Sequence, residues 1–142
     1  MIRRLTPSWR MRATIAALGF PPAVHLIALD RIAGWIARQR RAQPDDAVDD
    51  AALAEWVDRV LRRLPPPWRH TCLKRALVLH YLIQRAGRDS ELRIGVRRDE
   101  LGQLAAHAWL MRDQAPYLEP ASSRLESYQV LTAFSSQGDA AR

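Results

Sequence analysis

The spacing of apolar residues changes part-way along this chain. Up to Gly87 they recur at helical intervals; beyond it they alternate. Residues 8–18 read as a short helix with Ser8 as its N-cap, ended by Gly19 and restarted after Pro21-Pro22. From Ala23 to about Arg41, Val24, Leu26, Ile27, Ile32, Trp35 and Ile36 form one apolar stripe of a second helix. A polar linker, 43–50, leads to a helix over about Ala51–Leu64, capped by Asp49 or Asp50 and stopped by Pro65-Pro66-Pro67. Thr71 caps a fourth helix that runs to Arg85 or Ala86. Its apolar residues wrap most of its circumference, which predicts a central, buried position. Four strands follow: Leu92–Arg97, Ala106–Arg112, the short Tyr117–Glu119, and Tyr128–Phe134. Asp99–Gly102 turns the first two into an antiparallel pair, and Ser135–Arg142 reads as frayed.

Helices first and an antiparallel sheet second give an α+β fold, with one buried helix packed on the sheet. A chain of 142 residues, 48% hydrophobic, supports one domain with a real core. Its single cysteine excludes an internal disulfide and a cysteine-type zinc cluster, so a cytoplasmic location is the expectation.

The +7 net charge is carried by residues 1–42, where eight arginines stand against Asp30. The remainder is neutral. Such a segment suits a solvated helix face, an acidic partner, or peripheral contact with a membrane surface. No secretory signal or spanning segment is expected, because Arg10, Arg12, Asp30 and Arg31 interrupt the apolar runs. No helix-turn-helix pattern or interleaved aromatic platform points to specific nucleic-acid binding.

The candidate chemistry lies between Cys72 and Trp109. Cys72 stands at the expected first turn of the buried helix, where backbone N–H groups and the helix dipole favour a negative sulfur. His107 is the best-placed base. It shares a strand face with Trp109 and Met111, and the pairing requires that face to meet the N-terminus of the Cys72 helix. Trp109 would then shield the imidazole. Two acids are candidates for orienting the ring, Glu119 and Asp113. Glu119 suits a neighbouring strand, whereas Asp113 lies six residues along the His107 strand, roughly 20 Å at about 3.3 Å per residue. His70 and His80 lie nearby. Read from the residues alone, Cys72 also fits a small buried hydrophobe and His107 a merely hydrogen-bonded strand histidine.

The ordered set Cys72-Leu73-Lys74-Arg75-Ala76-Leu77-Val78-Leu79, Leu92-Arg93-Ile94-Gly95-Val96-Arg97, His107-Ala108-Trp109-Leu110 and Leu118-Glu119 resembles the transglutaminase-like cysteine protease domain of lasso-peptide biosynthesis B proteins. The resemblance covers about residues 69–134. It departs at Leu110–Gln114, where the family commonly has an acid soon after the tryptophan and a glycine turn. It implies a transglutaminase/papain-like core over residues 49–142, with 1–48 as a basic helical N-terminal extension. It implies a leader peptidase with Cys72 as nucleophile, His107 as base and Glu119 as orienting acid, and neither metal nor cofactor. The implied partners are the precursor peptide, a separate leader-recognition protein and a macrolactam cyclase. Two other readings share the sequence: a transamidating acyltransferase using the same thioester chemistry, and a non-enzymatic basic adaptor.

Overall fold

The computed structural model describes residues 5–41, 43–45, 48–65, 72–119, 125–135 and 140–141. Four helices, α1 (Pro7–Leu26), α2 (Leu29–Arg38), α3 (Asp50–Arg63) and α4 (Cys72–Arg85), precede the sheet strands β1 (Glu91–Arg98), β2 (Leu104–Arg112), β3 (Ala115–Tyr117), β4 (Gln129–Phe134) and β5 (Ala140–Ala141). The architecture is α+β: an antiparallel sheet in the order β3-β2-β1-β4-β5, with the helices layered against it.

Helix α4 occupies the centre, as its all-round apolar pattern predicts. Leu77, Val78, Leu79, Leu82 and Ile83 are fully buried. They pack with Ala13, Ala17 and Phe20 of α1, Leu53, Val57 and Leu61 of α3, and Leu92, Ala108, Leu110 and Phe134 of the sheet. Burying each such large aliphatic side chain contributes roughly 1.5–3 kcal/mol. One cluster therefore runs through both the arginine-rich N-terminal helices and the α4–sheet unit. Gly87 ends α4 with φ +78, and a Cβ there would collide with the Gln43 carbonyl. Helix α3 starts at the Asp49 cap, whose carboxylate accepts from the Ala51 N–H.

Several sequence expectations are corrected. Helix α1 does not end at Gly19 or restart after Pro21-Pro22; it continues through all three to Leu26, and its N-cap is Thr6 rather than Ser8. The prolines supply no helical N–H, but Phe20 and Pro21 are buried, and the Phe20 ring lies 5.1 Å from that of Tyr81 in α4. Tertiary burial outweighs the lost hydrogen bonds. The chain instead breaks at Ile27 and Ala28, both extended, so the expected stripe is interrupted and Leu26 and Ile27 are exposed.

The third strand lies earlier than expected. Asp113 and Gln114, with φ 51 and 63, make the two-residue turn of a hairpin, and β3 ends at Tyr117. The sequence departs from the resembled family at this turn, and two left-handed residues close it without a glycine. The C-terminal stretch is not wholly frayed, because Ala140 and Ala141 pair with Phe134 and Ala133. The expected Thr71 cap, His70, Pro66 and Pro67 lie outside the described residues.

The Asp99–Gly102 turn forms as expected. The Asp99 carboxylate accepts from the N–H groups of Leu101 and Gln103, and Gly102 adopts φ +77. It sets the register that places Gly95 opposite His107 and Ile94 opposite Ala108.

Candidate active site

Two elements deliver the imidazole and its carboxylate. His107 sits on β2, and Glu119 lies two residues beyond the end of β3. Leu118 takes φ 58, which ends the pairing with β2 and redirects the chain. Glu119 Oε2 then lies 3.0 Å from His107 Nε2, with its side chain 7% exposed. The carboxylate accepts from Nε2–H, so Nδ1 keeps the lone pair a general base requires. Asp113 is at the exposed hairpin tip; the structure brings Glu119, and not Asp113, to the ring.

Arg75 ties this pair to the Cys72 helix. It lies one turn after Cys72 on α4, and its guanidinium serves three partners. Nε donates to Asp58 of α3 at 2.7 Å, Nη2 donates to the Leu118 carbonyl at 2.9 Å, and Nη1 lies 3.9 Å from Glu119 Oε1. The rigid, planar fork suits this task, whereas an ammonium presents a single point of charge. One side chain therefore holds both the left-handed Leu118 segment and the acid that follows it. The sequence reading missed Arg75, although its signal was present: an arginine three residues after the cysteine shares its helix face.

The body of α4 does not pack on the His107 face of β2, the face the sequence reading needed to meet the Cys72 helix. The body of α4 packs on the Ala108 and Leu110 side of β2, which joins the hydrophobic core. His107 and Trp109 occupy the alternate positions. The connection from the Cys72 end of α4 to the imidazole runs around the β3 edge, through Arg75, Leu118 and Glu119. Cys72 is partly buried and packs at the margin of the core.

An aromatic enclosure surrounds the ring. Trp109 stacks on His107 at 5.9 Å and 16°, Tyr128 tilts against it at 5.4 Å, and the Arg97 guanidinium lies 5.2 Å over Tyr128. Gly95 makes room for this arrangement: a Cβ there would stand 2.9 Å from both Trp109 Cη2 and the Gln129 carbonyl oxygen. Tyr128 and Gly95 were not marked as site residues by sequence; the β1–β2 register was the signal that placed Gly95 beside His107.

His80 is set apart from this cluster. It is fully buried in α4, and its Nδ1 pairs with Ser90 Oγ at 2.6 Å. Burial lowers its pKa from 6.5 to about 4, which keeps the ring neutral. A second polar group pins α3 to the β2–β3 hairpin. Buried Asp50 pairs with Arg88 and Arg112 and accepts from the Tyr117 hydroxyl, whose pKa is raised by burial and by that carboxylate.

The structure brings together His107 and Glu119, and Arg75 links Glu119 to the helix that opens with Cys72. The sequence profile described as the Transglutaminase-like superfamily matches residues 16–133, most of the chain. The chain belongs to the transglutaminase-like superfamily. Its members are in general cysteine peptidases or transglutaminases. The superfamily match begins inside α1, so it takes in most of the basic helical segment as well as α4 and the sheet. No curated protein and no solved structure matches the chain. Among the described residues, no helix is long and apolar enough to cross a membrane.

Proposed function

We propose that this transglutaminase-like chain is a cysteine peptidase that removes the leader from a lasso-peptide precursor, working in the cytoplasm with a separate leader-recognition protein and ahead of a macrolactam cyclase. The observation that carries the reading is the Glu119–His107 pair at 3.0 Å, tied through Arg75 to the first turn of the helix that Cys72 opens. The ordered resemblance of the Cys72, Ile94-Gly95 and His107-Ala108-Trp109 segments supports the choice of substrate class.

In this mechanism His107 Nδ1 takes the thiol proton, and the Cys72 sulfur attacks the scissile carbonyl. Backbone N–H groups at the start of α4 stabilise the oxyanion. Collapse of the tetrahedral adduct breaks the C–N bond, and His107 returns the proton to the leaving amine. Water then adds to the thioester with His107 again acting as base, which releases the carboxylate and restores the thiol. Glu119 holds the imidazole in the working tautomer and balances its positive charge as it forms.

The test is cleavage of a precursor peptide, followed by mass spectrometry, with the recognition protein present. Cys72→Ala and His107→Ala should each lower turnover by about 10⁴-fold or more, given how such residues act as a unit. Undiminished cleavage in either variant would overturn the mechanism. Adding a primary amine separates hydrolysis from amide transfer: a peptidase yields the free carboxylate throughout, whereas a transamidase yields the amide.

A further inference from the structure

Away from Cys72, helices α1 and α2 leave an open trough of about 620 Å³ against the side of α4. Its aromatic wall is a ring cluster. Trp35 stacks on Tyr81 at 5.6 Å, and Phe20 lies 5.1 Å from the same ring. Its upper edges are apolar and uncovered: Ile15 is 62% exposed, Ile27 49% and Trp35 46%. A Cβ at Gly19 would meet no heavy atom within 4 Å, so the trough is open over α1. Contiguous exposed apolar surface of this kind marks a recognition face.

The charges select the occupant. Arg12 and Arg31 line the trough, and among the described residues no acidic side chain does. The chain's whole excess positive charge falls in residues 1–42, which supply both of its helical walls. We propose that this trough docks an amphipathic helix of a protein partner, with apolar residues on one face and carboxylates flanking them. A concave channel between two helices fits a rod laid into it, whereas a lipid surface is met by a protruding apolar face. The trough touches α4 at Tyr81, nine residues along from Cys72, so a seated helix leaves the thiol end of α4 uncovered. The inference rests on the groove alone and stands apart from the catalytic reading.

The test is selection from a displayed library of helical peptides, apolar at i, i+3, i+4 and i+7 and randomised elsewhere, against the full-length protein. Two variants accompany it. Gly19→Leu fills the trough from within at a position with free space and raises helix propensity. Arg31→Glu reverses one flank. Circular dichroism shows that both remain folded. The expected result is enrichment of sequences acidic beside the apolar stripe, binding that weakens with salt, and affinity at least about tenfold lower for each variant. No enrichment, enrichment of neutral or basic helices, or unchanged binding to Gly19→Leu would overturn the proposal. So would sedimentation with phosphatidylglycerol vesicles that Gly19→Leu abolishes, in the absence of any enriched helix, since the trough would then be a membrane contact.

Discussion

The two parts of helix α4 have opposite surroundings. At its start, Arg75 is an ionised group enclosed by protein, and each of its nitrogen atoms faces an oxygen of Asp58, Leu118 or Glu119. Further along, His80 and Gln84 are fully buried, and their shared partner is the neutral Ser90. His80 Nε2 has no hydrogen-bond partner among the described residues. The same contrast separates the two imidazoles of this region. His107 has a carboxylate 3.0 Å from Nε2 and lies in a partly open enclosure. His80 has only a hydroxyl within a low-dielectric interior, and protonation there is opposed. One helix thus borders a cluster of ion-paired side chains at its start and, further along, a core in which a neutral ring is held.

The comparison breaks most severely at Glu119. Glu119→Gln keeps the shape and removes the charge, which should lower kcat by about 10²–10⁴-fold with little change in KM, by analogy with a triad whose acid is made an amide. Steady-state kinetics on the precursor peptide checks this, and an unchanged kcat would remove Glu119 from its role.

At the other part of α4, acid should expose the cost of the buried neutral ring. The unfolded chain protonates His80 first, because the folded pKa, about 4, lies below the unfolded value of 6.5. The His80 contribution is therefore complete above about pH 6.5 and is lost as the pH falls toward 4, a change on the order of 3 kcal/mol. Urea denaturation at pH 7 and pH 4.5 measures it. The fall in stability between these two values should be smaller in His80→Gln than in the parent, and an equal fall would contradict the assignment.

A smaller effect is expected at Gly95. Gly95→Ala drives a methyl group toward the Trp109 ring and the Gln129 carbonyl, at a cost of about 1–3 kcal/mol. It should also lower cleavage, because Trp109 stacks on His107. If the variant is destabilised but fully active, the aromatic enclosure supports the fold and not the chemistry.

Much of this arrangement is legible in the sequence wherever one local rule governs. The all-round apolar residues of α4 announce its burial, the Asp99–Gly102 turn fixes the β1–β2 pair, and the alternation after Gly87 marks the sheet. Sequence reasoning fails where a long-range contact overrides a local preference. Pro21-Pro22 reads as a break, yet the helix continues because Phe20 reaches Tyr81, 61 positions away. Strand geometry favours Glu119 over Asp113, and Glu119 does reach His107, but by another route: β3 stops at Tyr117 and Leu118 turns left-handed under the hold of Arg75. Gly95 was visible as part of a motif, but its purpose, space for an indole crossing from the next strand, emerges only once the ring is in place.

The central claim is that the thiol opening α4 and the imidazole on β2 act as one unit. The chain has a single cysteine, so its alkylation reports on Cys72 without knowledge of the substrate. The rate of modification by iodoacetamide, followed by intact-protein mass spectrometry from pH 5 to 9, should fall about tenfold near neutrality in His107→Ala, and the shape of its pH profile should change. Superimposable profiles for the parent and His107→Ala, with both proteins folded, would contradict the account.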